Sequence, residues 1–441
     1  MNGASLIESI LKLDGWLDTM RSPEGYGGPV AHWWQNCLQY AGAGLDWRYE
    51  GIILGYLNLY EKTGNRLWLA KARRAGDDLV RGQLPSGSFR NSSFELNPYT
   101  GGTPHEAACD LALLHLSQKL KEMQDPGWQV YFAAAKNNIQ DFYIGRLWDD
   151  GARCFRDHPG VPSFVPNKAA TLVEAILLFA DVSGDAAYVD TCALPTLRAI
   201  LDHQVRHGEL DGGILQNSFR SKKVWKFFPY YIARCVPGLV SGYRWTGKEE
   251  YLDASLRAMA FVLRWRYDDG SFPQVVYPAG RMNRYPQWIA AVGDLLRAIE
   301  LLRAFGFDED TGPTARWLLQ GQQPLGGIRT AHGFASQVSQ RRPDDLPEFR
   351  DLLPVCGWAD KAFRYLSEAL PTSASLCPSD EEQEERERPE MFQTDCVFRG
   401  QRMKYREDRL TLELWQGKRL LYRWRKGDPW PEVCEPEMMW K

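Results

Sequence analysis

The chain has 441 residues, 44% of them apolar and 25% charged, with a formal net charge of −3. That composition belongs to a globular protein and excludes a broadly basic nucleic-acid binder. No apolar run approaches the roughly 18 residues needed to cross a bilayer. Met1 to Leu13 carries no basic stretch ahead of an apolar core, so a cytoplasmic protein with neither nucleic acid nor membrane as partner is expected. Nine cysteines are scattered singly with no C-x-x-C pair, which points to reduced thiols rather than a zinc ribbon or a disulfide framework.

In chain order, a first amphipathic helix is expected near 5–20, followed by a long loop over 21–45. DWRYEGIILGYLNLY then opens at Asp46, an acid suited to a first helical turn. YEKTGN (60–65) ends that helix at a glycine, and RLWLAKARRAGDDLV follows directly. After a loop over 84–103, Pro104 opens TPHEAACDLALLHL, with a partner helix over 127–145. Pro166 opens VPNKAATLVEAILLFA, closed by ADVSGD (180–185) and followed by AAYVDTCALPTLRAILDHQV. Pro229 opens FPYYIARCVPGLVSGY, closed by YRWTGK (243–248) and followed by EEYLDASLRAMAFVLRWR. Pro286 opens YPQWIAAVGDLLRAIELL, partnered by 310–320, and Pro354 opens LPVCGWADKAFRYLSEAL.

The pattern is a repeat. Proline recurs every 57–68 residues at the start of an apolar helix, where its missing N–H has no intrahelical partner. Glycine ends three of these helices, where a positive φ terminates the last turn. The proline-led set is small and apolar nearly all round, as a helix buried on both sides must be. The other set carries charge on one face. Six inner helices (46–62, 104–120, 166–182, 229–244, 286–304 and 354–369) ringed by six outer ones make an all-α (α/α)6 toroid over residues 1–371. Long connections, several starting with hairpin-like turns such as SGSF, DDGA, DGGI, DDGS and LGGI, collect on one face, where function usually sits. Residues 372–391 read as an acidic flexible linker. Residues 392–441 alternate apolar and polar positions between turns and read as a small antiparallel β-meander.

This helix pairing and turn pattern resembles the six-hairpin glycosidase-like superfamily over about residues 5–370. The resemblance implies a carbohydrate-active enzyme from a group that includes glycoside hydrolases, sugar epimerases and toroidal polysaccharide lyases. It implies a small or oligomeric saccharide as partner and no cofactor.

The mouth of such a toroid is lined by the inner-helix N-termini. The first residues there are Trp47, His105, Asn167, Tyr230, Gln287 and Val355; the next are Arg48, Glu106, Lys168, Tyr231, Trp288 and Cys356. Their diversity predicts one central pocket to which each repeat contributes a different group, with Trp358 as a further aromatic. Carboxylates within two turns of a helix start are Glu50, Glu106, Asp110 and Asp360, and glycoside hydrolysis needs a pair of them. His105–Glu106 is the sharpest local pair: a helix N-terminus favours neutral His and ionised Glu, which suits a base, with Glu50 as the proton donor. His32 and His332 sit in long loops and rank lower. No H-E-x-x-H occurs to recruit a metal.

Basic residues gather in the same loops, among them Arg48, Arg90, Arg156, Lys168, Lys222, Lys226, Arg284 and Arg329. They suggest an anionic, uronate-containing saccharide. Trp33 and Trp34 add aromatic faces suited to sugar rings. The leading expectation is therefore a glycoside hydrolase acting through carboxylates. The alternative is a lyase with His105, Tyr230 or Tyr231 as base and Asn167 with Arg284 neutralising the substrate carboxylate. A non-catalytic glycan-binding or scaffold protein and a terpenoid-cyclase-like toroid are the other two readings; the latter lacks D-x-D-D.

Overall fold

The computed structural model describes residues 3–32, 36–92, 104–220, 222–372, 376 and 391–438. Among them are twelve α-helices in alternating inner and outer positions. The inner helices are α2 (Arg48–Thr63), α4 (Ala107–Glu122), α6 (Pro166–Ser183), α8 (Pro229–Thr246), α10 (Val292–Arg303) and α12 (Cys356–Ala369). The outer ones are α1 (Gly3–Thr19), α3 (Arg66–Gly82), α5 (Trp128–Asn137), α7 (Leu194–Asp202), α9 (Glu249–Arg264) and α11 (Gly312–Gln320). Two outer helices carry π-helical turns, Asn138–Leu147 after α5 and Val189–Ala193 before α7.

Each inner helix packs on its two inner neighbours, and α12 packs on α2, so the ring closes. The seam is tight: a Cβ on Gly51 would lie 2.3 Å from the Asp360 carbonyl oxygen, so only glycine admits this approach of α2 and α12. Gly64, Gly184 and Gly247 end α2, α6 and α8 at φ 69°, 75° and 68°, as the sequence repeat predicts.

A glutamine repeats with the same logic at the end of alternate outer helices. The Gln83 side-chain amide donates to the carbonyls of Gly87 in its own hairpin (3.0 Å) and Ala134 in α5 (2.7 Å). Gln204 does the same to Gly212 (3.1 Å) and to Ala254 in α9 (2.8 Å). Gln322 donates to Gly326 (3.0 Å) and to Ser9 in α1 (2.9 Å), joining the end of the outer layer to its beginning. Each amide ties a hairpin-turn carbonyl to a carbonyl of the neighbouring outer helix.

The fifth inner helix departs from expectation. Pro286 opens no helix; Gln287–Trp288 forms a short strand paired with Ala331–His332, and α10 starts only at Val292. The strand turns Trp288 into an aromatic cluster with His32 and Trp358, which a helical start at 286 would not do.

The C-terminal residues form a five-stranded antiparallel meander: β1 (Met391–Phe398), β2 (Gln401–Asp408), β3 (Thr411–Gln416), β4 (Arg419–Arg425) and β5 (Val433–Cys434). It docks on the long-loop face. Val397 N–H donates to the Pro347 carbonyl at 2.9 Å, and Ala41 N–H donates to that of Pro429 at 2.9 Å. Phe349 packs on Phe398, and Tyr40 packs edge-on to Trp430. A buried Lys426–Glu407 pair (2.8 Å) ties β2 to the turn after β4. The sheet thus braces the 21–45 loop, which carries His32. Most of the expected linker, 373–375 and 377–390, lies outside the described residues, as do Trp33 and Trp34.

Candidate functional site

A central cavity of ≈ 120 Å³ sits at the N-terminal ends of the inner helices. Its lining follows helical periodicity. One layer comes from the first residues of the inner helices: Trp47, His105, Asn167, Lys168, Tyr230, Tyr231 and Trp358. A second layer lies one turn deeper: Glu50, Ala108, Thr171, Arg234, Asp294 and Lys361. His32 enters from the 21–45 loop.

The upper layer is aromatic and interlocked. Trp47 meets His105 edge-on at 4.8 Å between ring centroids and Trp358 at 6.0 Å. Trp358 in turn contacts Tyr230 (5.5 Å), Trp288 (4.9 Å) and His32 (5.4 Å). Trp47 Nε1–H donates to the Gly357 carbonyl at 2.5 Å, which pins this ring across the α2–α12 seam. Trp288 therefore supports the wall from behind rather than lining the cavity.

His105 Nε2 lies 3.2 Å from the Ser92 carbonyl oxygen. A carbonyl only accepts, so Nε2 carries the proton and Nδ1 the lone pair. Burial, then the charge of Lys168, pushes the His105 pKa down to about 3. Burial holds His32 well below the usual imidazole range as well. Both cavity histidines are thus neutral across the physiological range.

The lower layer is ionic. Glu50 accepts from Arg234 at 2.5 Å and from Arg364 on its other oxygen, and Arg364 also donates to Asp294 at 2.5 Å. Arg234 further donates to Thr171 Oγ1 at 3.1 Å. Four inner helices, α2, α8, α10 and α12, are joined by these charges. Burial alone would raise both acids; the surrounding Arg234, Arg364 and Lys361 outweigh it, holding Glu50 and Asp294 below the usual carboxylate range. Glu50 lines the cavity as expected, but as an ionised, doubly clamped carboxylate it is a poor proton donor.

Several expected site residues lie elsewhere. Arg48 is buried in a bidentate pair with Asp46 (2.7 and 2.9 Å) and donates to the Tyr26 carbonyl, so its charge is spent outside the cavity. Glu106 is buried behind His105, where it accepts from Ser92 Oγ, the Phe89 N–H (3.4 Å) and Asn138 Nδ2 (3.1 Å). Asp110 is fully buried, and burial with the nearby Glu106 charge pushes its carboxyl well above the usual range. Asp360 sits behind the cavity wall in a pair with Lys361 (2.8 Å); burial raises it to about 7 despite that partner. Arg284 and Gln287 line a separate cleft with Trp317 and His332. Arg284 stacks there over Tyr267, 4.5 Å from its ring centre. Gln287 points away from the cavity because it alternates with Trp288 along the strand, and it donates to Ser271 Oγ at 2.7 Å.

The basic surplus read from the loops is largely neutralised. Lys168 pairs with Asp157 (2.7 Å), Arg156 with Asp149 (2.7 Å) and Arg90 with Glu24 (3.4 Å). Each cation lining the cavity has a carboxylate partner.

Sequence reasoning missed Arg234, Asp294 and Arg364, and treated Lys361 only as a partner for Asp360. The signal was available in part: three or four residues beyond each first-layer residue is the same helix face one turn deeper, which yields Glu50, Ala108, Thr171, Arg234 and Lys361. Among the described residues, no group of three His, Cys, Asp or Glu side chains is placed to hold a metal ion. No helix among them is long and apolar enough to cross a membrane.

No protein-family model matches the sequence. A comparison with curated protein sequences gives no match. Solved structures are similar in fold. One is an unsaturated glucuronyl hydrolase specific for heparin, at 12% identity and TM-score 0.58, over 84% of this chain and 98% of that one. A D-mannose isomerase aligns at 14% identity and TM-score 0.58, over 82% of this chain and 96% of that one. The α-1,6-mannanase GH76A of Salegentibacter sp. HEL1_6, solved as an inactive variant with α-1,6-mannotriose, aligns at 14% identity and TM-score 0.54, over 84% and 99%. This chain shares its (α/α)6 toroid fold with these structures.

Proposed function

We propose that this protein is a carbohydrate-active enzyme that abstracts a proton from a sugar carbon beside a carbonyl, as in aldose–ketose isomerisation or epimerisation. The observation that carries this reading is the pairing of two neutral histidines, His105 and His32, in one aromatic-walled cavity whose carboxylates are both ionised and salt-bridged. Carboxylate acid–base hydrolysis needs one protonated acid facing the bond, and Glu50 and Asp294 are each held as anions. A neutral imidazole is ready to accept a proton.

In this reading Nδ1 of His105 takes the C–H proton, and the electron pair forms an enediolate. The cationic groups of Arg234 and Lys361 stabilise the new oxyanion, and the proton returns to the neighbouring carbon or the opposite face. Asn167, Tyr230, Tyr231 and Lys168 supply hydrogen bonds to hydroxyls, while Trp47 and Trp358 provide flat apolar walls. Balanced charge around the cavity favours a neutral saccharide over a uronate. The D-mannose isomerase and the glycoside hydrolases among the similar structures support a sugar substrate on this fold.

β-Elimination is the second reading, because the same histidine, tyrosine, asparagine and arginine types share the cavity. The two reactions share their first step and differ in what the carbanion expels. Incubation with a panel of reducing sugars in D₂O, followed by proton NMR, tests both. Deuterium entering at C2, abolished in His105→Ala, supports the isomerase reading. An unsaturated, ultraviolet-absorbing product from uronate polymers supports elimination. Release of reducing ends from glycosides without carbon-bound deuterium overturns both.

A further inference from the structure

We infer that Glu106 is a positioning residue that fixes the tautomer and orientation of His105 through Ser92. This rests on the reading of His105 as the base.

The two side chains are consecutive in sequence but point to different places. His105 faces the cavity, while Glu106 is completely buried behind it. The carboxylate is the hub of the wall there. One oxygen accepts the Ser92 hydroxyl and the Phe89 N–H (3.4 Å), and the other accepts Asn138 Nδ2 (3.1 Å). Asn138 also donates to the Gly87 carbonyl at 2.8 Å. Thus Glu106 anchors the 87–92 segment at three points, one of them through Asn138 beyond α5.

The end of that segment is Ser92, whose carbonyl oxygen receives the His105 Nε2–H. A loop carbonyl can rotate away from a ring nitrogen with a small change in backbone dihedrals. The bond from Ser92 Oγ to Glu106 opposes that rotation. With the carbonyl held, only the Nε2–H tautomer satisfies it, and the lone pair is confined to Nδ1. A direct carboxylate–imidazole contact would stabilise imidazolium. Inserting a peptide carbonyl orients the ring while leaving it neutral, in keeping with a depressed pKa. A carboxylate buried beside another acid, Asp110, has a reason to stay there if it performs this task.

The test uses full-length protein with ¹⁵N-labelled histidine. Long-range proton–nitrogen spectra assign the His105 tautomer in wild type, Ser92→Ala and Glu106→Gln, with His105→Gln identifying the resonances. Circular dichroism and thermal melts establish that each variant is folded. The expected result is one Nε2–H tautomer in wild type and a mixture in Ser92→Ala, which removes the tie but keeps the carbonyl. Glu106→Gln should behave the same way. If it fails to fold, Ser92→Ala alone decides. On a sugar that exchanges deuterium, both variants should lose about 100-fold in kcat with KM changed less than about threefold, the scale of a misaligned reacting group.

A wild-type Nδ1–H tautomer, or an unchanged single tautomer in folded Ser92→Ala, overturns the inference. If the tautomer does shift but His105→Ala retains full sugar exchange, the positioning stands and the proposed reaction fails.

Discussion

The upper and lower layers of the central cavity come from the same inner helices, one turn apart, yet they solve opposite problems. The upper layer is mainly aromatic, with His105 pushed down to about 3 and braced by Trp47 and Ser92. The lower layer is ionised, with Glu50, Arg234, Arg364 and Asp294 satisfying one another. A buried charge is tolerated only when paired, and the pairs of the lower layer also hold four helices together. The neutral His105 is oriented by a backbone carbonyl rather than by a carboxylate. The difference teaches that burial of an ionisable group in this toroid does not by itself mark a catalyst; the partner decides.

The largest effect expected from this contrast is in rate. His105→Ala should lower turnover by about 100-fold or more, the usual scale for a general base, while the denaturant midpoint stays nearly constant. Unfolding of that variant would place His105 with the structural layer and break the comparison. Arg364→Ala should act the other way. It leaves Glu50 and Asp294 undercompensated in the core, and urea unfolding should show a loss of about 3–5 kcal/mol. A loss below about 1 kcal/mol would mean that the ionic layer does not hold the ring.

Acid should destabilise the fold in a definite window. Unfolded histidine protonates near 6.5, whereas folded His105 does so only near 3. Between those values the unfolded chain binds more protons, so stability falls as pH falls from 6.5. Glu50, held below its usual value of 4.5, adds the same sign at lower pH. The kcat/KM profile should show no protonation limb between pH 8 and 5; a limb near 6.5 would show that His105 is solvated. The smallest effect is expected at Arg284, which lies in the other cleft. Arg284→Ala should change turnover less than about twofold and stability by less than about 1 kcal/mol, the loss of an exposed cation–π contact.

The sequence exposed the paired helices and their order because a 3.6-residue period, helix-opening prolines and terminating glycines are local signals. Pro166, Pro229, Gly64, Gly184 and Gly247 each acted within their own segment. Pro286 misled because the following residues are claimed by a distant strand at Ala331–His332. Trp47, His105, Asn167, Lys168, Tyr230, Tyr231 and Trp358 were legible as cavity residues from their place at helix starts. Arg48 and Glu106, one residue further on in two of those helices, turned inward to Asp46 and Ser92, since adjacent helical residues point about 100° apart.

What the sequence alone determined is therefore the toroid, its two layers and the face that carries the central cavity, all written in periodicity. Which of several buried acids is clamped, which histidine keeps a lone pair, and that His32 joins His105 were decided only by tertiary packing. Those properties depend on partners far apart in sequence, as Arg364 is from Glu50, and a pKa or a tautomer follows the partner rather than the residue type.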